Sequence, residues 1–415
     1  MRTLRCRNPG KQRRYRMRFR VFLFLHIFLL LQIAVIKMTV HAEETMSVNQ
    51  KTTDSLTEAE LLEIQSETEQ KLLEGFDFSE IDESLRKLFP EQKISFREVT
   101  ESFLEGDTEA AWKLLVRYVS DQITYEFSNN RQNLIYMLLL AIVAAVFTSF
   151  SDALKNRQVS QISFYVLYML LITICLNTFR VAVTGLESRL KLMTDFMGVL
   201  CPGYFLAVTF ASGSSSALMF YNLVLFLIYL VEVLILRFLL PVINVYIMVQ
   251  VMNYMLGEEM LSELGELLKK LVLWSLKTLV GIVVGINVIQ GLLAPAIDTL
   301  KRSTVTKAVE AIPGIGNTFG SMTDVVLGTA VLIKNGIGIA GAVLILLICA
   351  VPVVQMLLLT FFYKLAAALV QPVSDKRITG CISSVSGGYE LLLKVLCTVV
   401  VLFLLTLAVI AGSTS

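Results

Sequence analysis

The sequence predicts an all-α, polytopic transmembrane helical protein with a small acidic extracytoplasmic helical segment after an N-terminal signal peptide. Three observations lead to this prediction. The chain of 415 residues is 55% hydrophobic and 17% charged, with a mean hydropathy of +0.69, which is too apolar for an ordinary soluble domain. Its acidic and basic residues are segregated along the chain. Its apolar residues are gathered into runs of the length that membrane helices need.

Residues 1–42 are predicted to be a cleavable signal peptide. A strongly cationic start precedes the apolar run Val21–Ile36. This run of 16 residues suits a signal core, because a stable transmembrane helix needs roughly 20. Val40–Ala42 supplies a small-residue site for cleavage between Ala42 and Glu43. An uncleaved signal anchor is the alternative, and both interpretations place Glu43 outside the cytoplasm.

Histidine, which many catalytic and metal sites use, is missing from the predicted mature chain. Its two histidines, His26 and His41, lie in the signal peptide. Their removal excludes most hydrolytic triads, histidine metal sites and histidine proton relays. The sequence also contains no P-loop and no clustered metal ligands. We therefore predict no catalytic residue, no metal, no cofactor and no enzymatic activity. The five remaining cysteines are interpreted as buried structural residues rather than as a disulfide or metal site.

Residues 43–131 form an acidic segment that is predicted to lie outside the cytoplasm. They hold 21 Asp and Glu against 9 Lys and Arg, a net charge of −12, whereas residues 132–415, which are 284 residues, have a net charge of +4. Capping patterns at Ser79 and Ser95 predict two short helices, and Asp107 opens a longer one. The segment is either a solvated spacer or a docking surface whose apolar stripes meet partner helices. No nucleic-acid partner is predicted, because the cationic run belongs to the signal peptide.

Residues 132–415 are predicted to form a polytopic membrane domain, in contact with lipid, with about six to eight membrane-crossing elements. The supporting apolar runs are Leu134–Phe150, Ile162–Phe179, Phe196–Ala211, Ala217–Leu240, Val242–Leu256, Leu271–Leu293, Ile337–Leu369 and Leu391–Ala411. As one straight helix the run from Ile337 would be about 50 Å long, which exceeds a single crossing, so Pro352 is predicted to break it.

Two further stretches interrupt the apolar pattern and are predicted to break helices. Pro202-Gly203 and Pro313-Gly314 each lie in or beside apolar sequence, and each is followed by further glycines. Their similar placement in two halves of the domain indicates a weak internal repeat, which in transporters points to a substrate pathway. The alternative is that these residues only mark turns, since Pro and Gly are common in membrane helices.

Ionisable residues within the apolar runs are candidate pathway or structural groups. Glu232 and Arg237 lie in Ala217–Leu240, and Lys364 lies late in Ile337–Leu369. Such groups are costly at membrane depth and therefore carry a functional hypothesis. Arg237 and Lys364 are near run ends and are predicted to snorkel towards the membrane surface. Glu232 is predicted to pair with a cation on another helix, and a structural ion pair is favoured over a proton or substrate site.

Small residues at helical spacing predict close helix packing at two places. Gly281 and Gly285 form a GxxxG pair, and Gly336, Gly338 and Gly341 form a small-residue face. Both patterns let the backbones of neighbouring membrane helices approach each other.

Three motifs resemble those of the stage III sporulation protein AE family. They are Lys307-Ala-Val-Glu-Ala-Ile-Pro-Gly-Ile-Gly316, Val331-Leu-Ile-Lys-Asn-Gly336 and Lys364-Leu-Ala-Ala-Ala-Leu-Val-Gln-Pro372, in a chain with a basic signal and an acidic helical segment. The resemblance covers nearly the whole mature chain. It implies an endospore-forming bacterium, and a place in the mother-cell membrane that engulfs the forespore.

The same resemblance implies partners and a role. The partners are other membrane and ring-forming proteins of one sporulation complex, a secretion-type ATPase, and a forespore membrane protein across the gap. The resemblance also implies that this complex is a feeding or export channel between mother cell and forespore. We therefore expect a non-enzymatic membrane component that supplies a permease-like passage or an export platform. The alternative is a membrane scaffold that anchors partner proteins without conducting anything.

Overall fold

The computed structural model describes residues 78–88, 95–104, 157–212, 216–256, 260–309, 316–372 and 374–412, together with scattered positions between 120 and 146. These residues are almost all helical and include no strand, which confirms the all-α fold class. The predicted signal peptide, with Ala42 and Glu43, lies outside the described residues, and so do Pro313 and Gly314. Those predictions, and the internal repeat that depends on Pro313-Gly314, stay predictions.

Eight α-helices and one π-helix lie within the described ranges. In chain order they are α1 (Ser79–Leu88), α2 (Phe96–Leu104), α3 (Arg157–Ser212), α4 (Ser216–Leu234), a π-helix (Ile235–Leu239), α5 (Leu240–Leu256), α6 (Ser262–Val309), α7 (Gly316–Val370) and α8 (Lys376–Gly412). The π-helix continues α4 directly into α5.

Four stretches of the described chain are long and apolar enough to cross a membrane. They are Tyr165–Thr209 in α3, Tyr221–Met255 from α4 to α5, Gly328–Val370 in α7 and Lys376–Ala408 in α8. The chain is therefore a multi-pass membrane protein. The predicted run 134–150 includes residues outside the described part, and in the run 271–293, which lies in α6, some side chains are not described, so six to eight crossing elements remains a prediction.

Helix α3 joins two runs that the sequence presents as separate spans. It contains both Ile162–Phe179 and Phe196–Ala211 in a single helix of 56 residues. Several residues between the two runs are charged. This stretch still continues the helix, because it contains Leu, Glu, Arg, Lys and Met, which are good helix formers. At 1.5 Å per residue the helix is about 84 Å long, whereas the hydrocarbon layer is only about 30 Å thick. Part of α3 must therefore extend beyond the hydrocarbon.

The helix breaks predicted at Pro202-Gly203 and at Pro352 are wrong. Pro202 lies inside α3, and Pro352 lies inside α7. A proline removes one backbone hydrogen bond, but neighbouring helices can hold a membrane helix together across that loss. Cys201 and Val351, the residues just before these prolines, are buried, so each helix is packed against its neighbours at that point.

Glycines bring α7 close to α3. A Cβ atom on Gly338 would lie 2.6 Å from the hydroxyl of Tyr204, and one on Gly341 would lie 2.8 Å from Cδ2 of Leu200. These contacts confirm the close packing predicted for Gly338 and Gly341. The residue number rises along α7 as it falls along α3, so the two helices are antiparallel.

The GxxxG pair in α6 does not make such a contact in the described part of the chain. Positions for a Cβ atom on Gly281 and Gly285 have no neighbouring atom within 4 Å, and both residues are exposed. The close packing predicted for this pair is therefore wrong within the described chain. The GxxxG spacing shows only that small residues lie on one face of a helix. A second helix must pack against that face before the two backbones can meet.

Helices α1 and α2 form a small unit that packs against the membrane helices. Ile81, Leu85 and Phe96 are buried, and the rings of Phe78 and Phe96 lie 5.3 Å apart. Helix α1 contacts α3, and α2 contacts α7. The chain itself therefore covers these two apolar stripes of the acidic segment, which leaves only their exposed faces for a partner.

The carboxylate of Asp82 in α1 caps the beginning of α2. Its Oδ1 accepts a hydrogen bond from the backbone N–H of Phe96 (2.6 Å), and its Oδ2 accepts one from the hydroxyl of Ser95 (3.3 Å). The first backbone N–H groups of a helix have no partner within the helix, so an oxygen acceptor there stabilises it. The capping pattern correctly predicts that α2 begins after Ser95, but the acceptor comes from another helix.

Replacing Asp82 by Ala should weaken the beginning of α2. Both hydrogen bonds are lost, so the local free energy of opening should fall by about 1–2 kcal/mol. Hydrogen exchange of the amides in residues 96–104, measured on the full chain in detergent, should become faster. The control is Arg86→Ala, on an exposed position of α1. Equal exchange in both variants would show that the cap contributes nothing.

Candidate functional site

A network of three charged side chains joins α7 to α8 inside the candidate membrane spans. The Nζ atom of Lys364 in α7 lies 3.2 Å from Oε2 of Glu390 in α8. The Nζ atom of Lys394, one turn further along α8, lies 2.9 Å from Oε1 of the same carboxylate. We call Lys364, Glu390 and Lys394 the charged triad. One carboxylate thus pairs with two ammonium groups, which leaves one net positive charge.

The triad is only partly covered by the protein. The side chains of Lys364, Glu390 and Lys394 are 51%, 36% and 39% exposed. Charged groups with open surface in an apolar helix pair are costly against lipid. The exposed side of the triad therefore suits water, a polar cargo or a charged partner better than it suits acyl chains.

Buried polar and aromatic groups fix the two helices beside the triad. The hydroxyl of Ser386 in α8 donates a hydrogen bond to the backbone carbonyl of Thr360 in α7 (3.1 Å), and both residues are buried. The ring of Tyr389 lies 5.1 Å from that of Tyr363 and 5.2 Å from that of Phe179. The residues next to the triad are therefore closely packed, because α3, α7 and α8 each contribute an aromatic ring to this cluster.

Of the three ionisable residues that the sequence singles out, only Lys364 enters this network. It pairs with Glu390, and its snorkelling towards the membrane surface stays a prediction. Glu232 lies half-buried in α4, and Arg237 lies exposed in the π-helix. Among the described residues, neither of them has an ion-pair partner, so the predicted pair between Glu232 and a cation on another helix is not found there.

Sequence reasoning missed three further charged residues. Glu390 and Lys394 flank the start of Leu391–Ala411, and their spacing of four residues is a recognisable helical ion-pair signal. Lys334, which is part of the motif Val331–Gly336, is buried inside α7, where only 3% of it is exposed. The signal for it was a lysine directly after three apolar residues, Val331–Ile333, and three residues before the run Ile337–Leu369.

The charged triad provides ion pairing between α7 and α8. Where side chains are described, no group of three or more His, Cys, Asp or Glu is placed to hold a metal ion. The charged triad can hold α7 and α8 in register and can present positive charge to an anionic group.

Comparison with known proteins decides the family. Residues 94–414 match the family described as stage III sporulation protein AE. The chain belongs to that family. A curated AE-family relative, "Stage III sporulation protein AE" of Bacillus subtilis (strain 168), is 28% identical over 325 residues, which cover 78% of this chain and 80% of the relative. No solved structure matches the chain.

The match places the AE-family protein among membrane components of sporulation. The family match covers the part of the chain from α2 to α8, including the charged triad. The resemblance stated from the three sequence motifs is thereby confirmed. The description of the AE family names no catalysed reaction.

Proposed function

We propose that this AE-family protein is a non-enzymatic component of a channel complex between mother cell and forespore that endospore formation requires. It lies in the mother-cell membrane that engulfs the forespore and supplies a permease-like passage or an export platform. Its partners are other membrane and ring-forming proteins of the complex, a secretion-type ATPase and a forespore membrane protein across the gap.

The observation that carries this proposal is the charged triad. Lys364, Glu390 and Lys394 keep open surface within two helices that are apolar enough to cross a membrane. Ionisable groups at such positions commonly line water-filled pathways or meet partners. The surrounding rings of Phe179, Tyr363 and Tyr389 hold the triad in place, as a fixed site in a passage requires.

A second candidate function is a scaffold that anchors partners and conducts nothing. The observation in its favour is that α1 and α2 pack against α3 and α7. An outer surface that is held rigidly on the membrane helices is suited to docking, because little order is lost when a partner binds.

A triad without charge separates the two functions. The triple substitution Lys364→Met, Glu390→Gln and Lys394→Met removes all three charges at similar side-chain volumes. If the triad serves a passage, this variant should still co-isolate with its complex, but late forespore gene expression and heat-resistant spores should be lost. Normal spore yield would count against the passage.

A charge reversal on the outer surface provides the matched variant. Glu80 and Glu83 are exposed on α1, and replacing both by Lys leaves the buried face unchanged. A scaffold should lose co-isolated partners and spores together in this variant. Full partner recovery would contradict the scaffold. The reversal Glu187→Lys on the exposed side of α3 is the control.

A further inference from the structure

An exposed groove runs along α4 and the π-helix. It has a volume of about 390 Å³, and its walls include Phe226, Tyr229, Leu230 and Phe238, together with Arg237. The three aromatic residues are 59%, 62% and 43% exposed. The groove belongs to one helix and is separate from the charged triad.

Pro241 explains why Arg237 is presented in this groove. The ring of a proline crowds the carbonyl group four residues earlier in a helix, here that of Arg237, and the proline has no N–H to offer it. The helix widens just before Pro241, where the backbone N–H of Leu240 donates to the carbonyl of Ile235, five residues back. Such π-helical turns are frequent at functional sites.

Two opposite charges lie on this helix without pairing with each other. Glu232 and Arg237 are five residues apart, so they face different directions and do not pair with each other. Within the described chain no other ion-pair partner reaches either of them. Arg237 is 21 residues from the beginning of α4 and 19 from the end of α5, far from both helix ends. An acid and a base at such a position both require a counter-charge.

We propose that this face pairs with the same face of a second copy of the chain. Two copies in one membrane have the same orientation, so a twofold axis along the membrane normal sets their helices side by side. Arg237 of each copy then pairs with Glu232 of the other, which lies about 7.5 Å further along the helix axis. An aromatic side chain of each copy fills the groove of the other.

Charge complementarity favours a second copy over a lipid. Acyl chains suit the apolar walls but leave both charges without partners. An anionic headgroup pairs with Arg237 but repels Glu232. The same helix of another copy supplies both counter-charges at once and forms two equivalent ion pairs. This inference does not depend on the proposed function.

Exchange of the two charges tests the proposal with the full chain. Two differently tagged copies are co-expressed, and the fraction of one that is recovered with the other is measured in detergent. Glu232→Arg in both copies, or Arg237→Glu in both copies, should reduce co-isolation about tenfold or more, since two interhelical polar pairs are lost. One copy with Glu232→Arg together with one copy with Arg237→Glu should associate as the wild type does, because both pairs are restored.

The doubly exchanged chain makes the test decisive. A copy with both Glu232→Arg and Arg237→Glu should associate with itself but not with the wild type. The control is Lys277→Glu, at another exposed position of the apolar helices, which should leave co-isolation unchanged. The proposal is overturned if wild-type copies do not co-isolate, if the mixed pair does not recover, or if the doubly exchanged chain binds the wild type. If co-isolation of the mixed pair does not recover and the purified chain keeps a bound lipid, the occupant of the groove is a lipid.

Discussion

Replacing Gly388 by Val should produce the largest loss of stability among single substitutions in the membrane helices. Gly388 is buried in α8, where a Cβ atom would collide with the side chain of Ile247 in α5 and would lie 2.8 Å from Cε2 of Phe179 in α3. Both neighbours are themselves buried, so neither side chain can move aside into open space. Such overpacking costs about 1–3 kcal/mol for a single added group, and more for a branched one.

A matched pair of alanine variants isolates the steric part of this effect. An alanine at Gly388 or at Gly185 gains the same intrinsic helix preference, about 1 kcal/mol. No atom lies within 4 Å of a Cβ position on Gly185. The melting temperature in detergent should therefore rise or stay level for Gly185→Ala, fall for Gly388→Ala, and fall further for Gly388→Val. Equal melting temperatures for the two alanine variants would show that α3, α5 and α8 do not meet at Gly388.

Replacing Glu390 by Gln should have the second-largest effect. The carboxylate is the shared partner of Lys364 and Lys394, so its loss leaves two ammonium groups close together with no anion in the triad. Interhelical polar contacts in membranes contribute about 1–2 kcal/mol, and the repulsion between the lysines adds to their loss. The melting temperature in detergent should fall. Glu187→Gln, at an exposed acid of α3, is the control and should change little.

Removal of the lysine charges should reverse the loss. Breaking one partner of an ion pair leaves an uncompensated charge, whereas replacing all partners by neutral groups of similar volume can be nearly neutral. The triple variant with Lys364→Met and Lys394→Met in addition should therefore melt close to the wild type. If it melts as low as Glu390→Gln, the triad does not act through charge. If it is stable but forms no spores, the triad has a role beyond holding α7 to α8.

The family and the membrane character follow from local sequence features. Lys307–Gly316, Val331–Gly336 and Lys364–Pro372 identify the family without any knowledge of the fold. The apolar runs identify the membrane helices, because the length and composition of a segment decide whether it can cross a bilayer. The beginning of α2 after Ser95 is equally local, since a cap is recognised within a few residues.

Side-chain contacts between different helices could not be predicted from local sequence features. The pair of Lys364 with Glu390 could not be predicted from spacing, because Glu390 is 26 residues away in the next helix. The register between α7 and α8 decides that the two side chains meet. The cap of α2 shows the same limit, since its acceptor Asp82 is 14 residues earlier, in α1.

Helix continuity was also decided by tertiary packing. Pro202, Pro241 and Pro352 are equally able to break a helix by their own chemistry, yet α3 and α7 continue through two of them and a π-helix absorbs the third. The cost of a missing backbone hydrogen bond is local, but the contacts that offset it come from neighbouring helices.

The sequence by itself determined that this protein is helical, lies in a membrane and belongs to a sporulation family. The length of an apolar run and a short motif are both properties of contiguous residues. Only the tertiary structure decided that Glu390 joins two lysines, that Gly388 admits no side chain and that Glu232 and Arg237 remain without partners in the described chain. Those facts depend on which helix faces lie against each other, and side-chain contacts between distant residues are set by packing rather than by spacing along the chain.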